Sequence, residues 1–269
     1  MDAPSPARPD LLSSEDPSPV EIVRGAGPSR LLIHCDHGGN AVPAKLHDLG
    51  LPHEALARHI GWDIGAGAVA RDMARRCGAT AVIARYSRLV IDLNRPLGEP
   101  DSIPERSDGR PIPGNVGLSQ ADVLARAQAL FTPYHHALDA EIARIRARSQ
   151  VPVMLSIHSF TPALMARGSA RPWHCGVMFS FDRRLGDHLL RALKARPGMI
   201  VGENEPYSGI SHGYCMKAHG LAQGLPHAQI EIRQDLVCTQ AGQLWWARLL
   251  AEIMEPILGY DDVNEIRHD

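Results

Sequence analysis

Four places in the chain set a titratable or cationic side chain directly behind an apolar run. Residues 29–35 (SRLLIHC) run into Asp36 and His37. Residues 89–93 (LVIDL) carry Asp92 and lead to Asn94 and Arg95. Residues 151–157 (VPVMLSI) end at His158, and residues 227–232 (HAQIEI) hold Glu231. Two histidines, a carboxylate and an arginine gathered at one edge of a sheet suffice for metal-assisted hydrolysis. A catalytic zinc usually takes three protein ligands from His, Asp or Glu and keeps a fourth position for water. The metal acidifies that water and polarises a carbonyl, and a nearby carboxylate can carry the proton to the leaving group.

Spacing alone leaves each of these residues with a second reading, because no local motif such as HExxH joins them. A histidine closing a buried strand also serves as an ordinary hydrogen-bonding residue. Glu231 lies between Ile230 and Ile232, so it faces away from both and reads equally as solvent-facing. Arg95 heads a Pro-rich loop and reads equally as a loop anchor. Arg88 and Asp92 can pair with each other inside the fold.

The elements that must position these residues alternate between strand and helix patterns. Buried-strand runs cover 29–35, 80–85, 89–93 and 151–157, with further strands at 175–181, 198–202 and 227–232. Helical spacing marks 54–59, 65–76 (with Gly78 as its C-terminal stop), 119–148 with a break near Pro133, 185–195 and 239–258. Ser119 and Asp122 stand at capping-box positions. Residues 94–117 form a long Pro- and Gly-rich loop, a length that usually signals function or disorder. Strands interleaved with helices predict an α/β fold, with a mixed, mostly parallel sheet flanked by helices on both faces. Residues 1–20, rich in Pro and Ser, read as a mobile leader rather than a signal peptide, and 21–269 as one domain. In open α/β sheets, ligands gather at the carboxyl ends of strands.

Composition narrows the partner. With 28 Lys+Arg against 30 Asp+Glu the formal net charge is −2, which gives no footprint for nucleic acid or an anionic membrane. No stretch approaches the ~20 apolar residues of a membrane span. The expected partner is a small molecule. Five scattered cysteines without a CxxC pair fit reduced thiols in a cytoplasm. Fourteen histidines favour metal or acid–base chemistry.

Read together, seven runs resemble the N-formylglutamate amidohydrolase family: DHGGNAVP (36–43), WDIGA (62–66), RYSRLVIDLNRP (85–96), PYHHAL (133–138), SIHSF (156–160), HGYCMKAHG (212–220) and HAQIEIRQDL (227–236). They stand in family order and span 31–236. The resemblance implies a fold related to zinc carboxypeptidases, with zinc at the carboxyl edge of the sheet. It implies zinc ligation by His37 and His158. Asn40 occupies the position where carboxypeptidase-like enzymes place a third, glutamate ligand, and Asp63 is the alternative favoured on charge. Glu231 matches the general base and acid, and Arg95 the clamp on a substrate carboxylate. Arg88, Asn94, Asn40 and Lys217 are further substrate candidates. Ser156 stands where the family pattern puts an acid beside the second metal histidine, so another group must orient that imidazole. The implied reaction is removal of a formyl or other small acyl group from the nitrogen of an acidic amino acid. A related zinc hydrolase acting on peptides or N-succinyl amino acids, and a non-catalytic carboxylate-binding relative, are the alternatives.

Overall fold

The structure, a computed structural model, describes residues 11–163 and 171–268. Its strands are β1 (Val20–Arg24), β2 (Leu31–Cys35), β3 (Thr80–Ala84), a short ribbon of β4 (Arg106–Ser107) and β5 (Arg110–Pro111), β6 (Val153–Phe160), β7 (Cys175–Met178), β8 (Val201–Glu203) and β9 (His227–Arg233). Its α-helices are α1 (His53–Leu56), α2 (Ala66–Arg76), α3 (Gln120–Arg126), α4 (Thr132–Arg146), α5 (Arg184–Lys194) and α6 (Gln240–Ile257).

Seven strands form one sheet in the order β1-β3-β2-β6-β9-β7-β8. The central four, β3, β2, β6 and β9, are mutually parallel. Antiparallel pairings join β1 to β3 and β7 to β9. The sheet is therefore mixed and mostly parallel, as the sequence predicts. The central strands are buried throughout, except for Arg233 at the end of β9. That fits their nearly unbroken apolar runs, because a parallel sheet is covered on both faces.

Alternate residues feed two cores. Leu31, Ile33 and Cys35 pack with α2, α5 and α6 on one face, and Leu32, Val82 and Met154 pack with α4 on the other. Trp246 of α6 is buried in the first core, while its neighbour Trp245 is exposed. The Ser119 hydroxyl and Asp122 form the expected capping box of α3. The break near Pro133 is a turn of π-helix over Ala127–Phe131, which leads into α4 with the proline in its first turn. A missing N–H costs little there.

Two expectations are corrected. Residues 89–93 are not a strand: they form a buried turn held by Val90 N–H on Ser87 O and Asp92 N–H on Ser102 O. Leu89, Val90 and Ile91 are apolar because they plug the second core, not because they pair in the sheet. The leader expected over 1–20 gives way from residue 11 on. Tyr86 donates its hydroxyl to Pro17 O, Asp16 accepts from Ala44 N–H, and β1 begins at Val20.

Candidate metal centre

Because β3, β2, β6 and β9 run the same way, the residues at or just past their carboxyl ends meet at one edge. β2 delivers Asp36 and His37, the turn after β3 delivers Arg88, Asp92 and Asn94, β6 carries His158, and β9 carries Glu231 directly opposite His158 in the register. Asp63 joins from the turn before α2, where its N–H bonds His37 O. That turn depends on Gly65, at φ +80°, where an added Cβ would lie 2.1 Å from Val237 O. Only glycine tolerates both the backbone conformation and the approach.

His37, Asp63 and His158 are all buried, and one donor atom from each lies within 4.8 Å of the others. The geometry has an inner and an outer side. On the outer side, His37 Nε2 contacts Asp92 Oδ1 at 2.7 Å and His158 Nε2 contacts Asp36 Oδ2 at 3.1 Å. On the inner side, His158 Nδ1 lies 2.7 Å and His37 Nδ1 3.5 Å from the same oxygen, Asp63 Oδ2. His37 Nδ1 is buried without a hydrogen-bond partner. Two imidazoles whose outer nitrogens face carboxylates present basic inner nitrogens. With one carboxylate oxygen between them, they fit a three-ligand site for zinc or a similar divalent cation.

The acceptor that Ser156 fails to provide thus comes from Asp36, one residue before His37. Asp36 is itself fixed by Tyr134 Oη at 2.6 Å and His34 Nδ1 at 2.8 Å. Burial works against charge on these groups, but their mutual contacts prevail. His34 and His158 hold the Asp36 carboxyl well below the usual carboxylate range, and His158 is raised well above an ordinary imidazole by Asp36 and Asp63. Asp63 is lowered by His37 and His158, and Asp92 by Arg88 and His37. Glu231 behaves oppositely: burial pushes its carboxyl up to about 7. Gln229 Nε2 donates to its Oε1 at 2.7 Å. A carboxyl tuned near neutrality is suited to exchanging a proton at working pH.

His37, Asp63, Asp92, His158, Gln229 and Glu231 line a cavity of about 660 Å³, with Asp36 behind its wall. Of the residues singled out from sequence, His37, Asp63, Arg88, Asn94, Arg95, His158 and Glu231 all line it. Arg88 does pair with Asp92, at 2.5 Å. Arg95 Nε reaches the exposed Asp101 at 2.6 Å. Asn94 Oδ1 accepts from Cys215 N–H, so its carbonyl end is already engaged. Asn40 and Lys217 do not line this cavity: Asn40 Nδ2 donates to Leu56 O and Lys217 Nζ to Ile210 O. Beside the metal-ligand geometry, their neighbours account for both side chains as loop ties. Sequence reading missed Asp36 as an orienting group, and it missed Tyr207, Gln229 and Arg171 in the lining. Asp36 and Gln229 stood in plain view within DHGGN and HAQIEI, whereas nothing local marks Tyr207 or Arg171.

The fold and this site define an α/β protein with a candidate metal centre at the carboxyl edge of a mixed sheet. Residues 29–238 match the model of the N-formylglutamate amidohydrolase family. The chain belongs to that family. The N-formylglutamate deformylase of Pseudomonas aeruginosa is 28% identical over 268 residues, an alignment spanning 89% of this chain and 92% of that protein. Among solved structures, the gene product Atu2144 of Agrobacterium tumefaciens superposes with a TM-score of 0.87 at 34% identity, covering 93% of this chain and 98% of the other. An N-formylglutamate amidohydrolase from Ralstonia eutropha gives a TM-score of 0.66 at 23% identity over 90% of this chain and 98% of that one, a likeness of fold.

Proposed function

We propose that this protein is a divalent-metal-dependent amidohydrolase that removes a formyl, or another small acyl, group from the nitrogen of an acidic amino acid. The observation that carries the reading is the convergence of His37 Nδ1, Asp63 and His158 Nδ1 beside a buried Glu231, in a chain of this family. His37, Asp63 and His158 would hold the cation, zinc by the nitrogen and oxygen donor set. When bound, the cation polarises the scissile carbonyl and acidifies water.

The chain's own residues do the rest. Glu231 accepts a proton from the attacking water and returns it to the departing nitrogen. Arg88, locked by Asp92, sets a fixed positive charge where the carbonyl oxygen gains negative charge. Arg95 swings its guanidinium from the exposed Asp101 to the α-carboxylate of the substrate, a planar acceptor that suits its fork of donors. The buried cavity floor keeps bulk water from competing for these contacts.

Protein loaded with zinc, cobalt or manganese should release formate from N-formyl-L-glutamate, and a chelator should stop it. No release with any of the three metals removes the reading. Arg95→Ala should raise KM for N-formyl-L-glutamate about 10- to 100-fold, the loss of a charge-assisted contact, with little change on the corresponding α-amide. Equal losses on both substrates would assign Arg95 to holding its loop through Asp101 instead.

A further inference from the structure

The cavity's arginines differ in how their charge is met. Arg88 has Asp92 at 2.5 Å and Asp63 at 3.7 Å, and Arg95 has Asp101 at 2.6 Å. Arg171 has neutral acceptors: its Nη1 donates to Tyr207 Oη at 3.1 Å and to Thr161 O at 3.3 Å. No carboxylate lies within ion-pair distance of it among the described residues. Its guanidinium carbon stands 5.0 Å from the centre of the Tyr207 ring and 5.7 Å from that of Phe160.

Its placement follows from topology. β7 runs antiparallel to β9, with Gly176 opposite Glu231, so the residues that enter β7 lie at the same sheet edge where β9 reaches the site. Arg171 is further tied there by its own N–H to Pro162 O, just beyond β6. The side chain is thus oriented by two aromatic faces and two neutral oxygens, with cationic charge left over. Such a guanidinium gains most from a planar anion that accepts from its remaining N–H groups.

We propose that Arg171 reads the side-chain carboxylate of the substrate, and so restricts this site to N-acyl amino acids that carry a second carboxylate. The inference rests on the amidohydrolase reading above and assigns a different arginine from the one that takes the α-carboxylate. Arg106 also lines the cavity, but it is exposed on the β4–β5 ribbon and donates to Gly109 O. It serves as the control.

The test compares metal-loaded wild type, Arg171→Gln, Arg171→Lys and Arg106→Gln on N-formyl-L-glutamate and N-formyl-L-glutamine, with thermal unfolding to verify folding. Arg171→Gln should lose about 10- to 100-fold in kcat/KM on the glutamate substrate, mainly through KM. The glutamine substrate should change by less than about 3-fold, Arg171→Lys should recover part of the loss, and Arg106→Gln should stay near wild type. Equal losses on both substrates, or a selective loss in Arg106→Gln with none in Arg171→Gln, overturns the assignment. Calorimetry with glutarate and butyrate separates this inference from the reaction itself. If wild type hydrolyses neither N-formyl substrate, the amidohydrolase reading fails. Arg171 is then still supported if wild type prefers glutarate and Arg171→Gln loses that preference, and overturned if the two proteins bind the pair alike.

Discussion

Glu231→Gln should leave cation binding intact while lowering kcat on N-formyl-L-glutamate by about 10²- to 10⁴-fold, the usual contribution of a positioned proton carrier. The glutamine side chain has nearly the same shape and keeps a carbonyl oxygen for the Gln229 amide, which now donates to Glu231 Oε1. What it loses is the capacity to take and return a proton. Glu231 is buried, and it faces His158 across the β6–β9 pairing, so bulk water is a poor replacement. Elemental analysis and turnover must be measured on the same preparation. Unchanged metal content with collapsed kcat supports the role, and a kcat within about 3-fold of wild type sinks it. Metal lost along with activity would make Glu231 part of the binding cage instead.

Asp36→Asn should weaken cation binding by about 10- to 100-fold, the usual cost of altering the group that orients a histidine ligand. Asp36 Oδ1 receives both Tyr134 Oη and His34 Nδ1, and Oδ2 faces His158 Nε2. An asparagine would keep its carbonyl oxygen toward the two donors and turn its NH₂ toward His158. His158 Nε2 must then accept, which moves the imidazole proton to Nδ1, the atom that faces Asp63 and the cavity. The proton would occupy the lone pair that a cation needs. Competition titration with a chromogenic chelator measures the affinity, and Tyr134→Phe serves as a comparison that removes one donor without reversing the tautomer. Equal affinity in Asp36→Asn and wild type would show that the outer contact does not govern the ligand atom.

How much of the fold and site was legible in the sequence depends on whether the information is local. The central strands could be read because a parallel strand covered on both faces must be apolar throughout, and 31–35, 80–84 and 153–160 are nearly so. Residues 89–93 satisfy the same criterion for a different reason. They fill a core as a turn whose polar groups are met by Ser87, Ser102 and Arg88, and composition does not distinguish the two. β1 was hidden because an edge strand alternates partial exposure, and VEIVR contains two charges. His37, His158 and Glu231 were legible as polar residues at strand ends. Asp63 was separable from Asn40 by charge alone, and the structure brings Asp63 between the imidazoles while Asn40 ties down the α1 region. Arg171 carries no local mark. Its relation to the cavity arises from the reversed direction of β7, a property of the whole sheet.

The outer carboxylates also bear on how the proposed site would meet a cation. Asp36 and Asp92 already hold both imidazoles, and Asp63 already sits between them, using only contacts the chain makes with itself. If these contacts form on folding, less ordering entropy is left to lose when a cation binds. The stripped protein should keep its fold, and one batch of it should accept zinc, cobalt or manganese in turn.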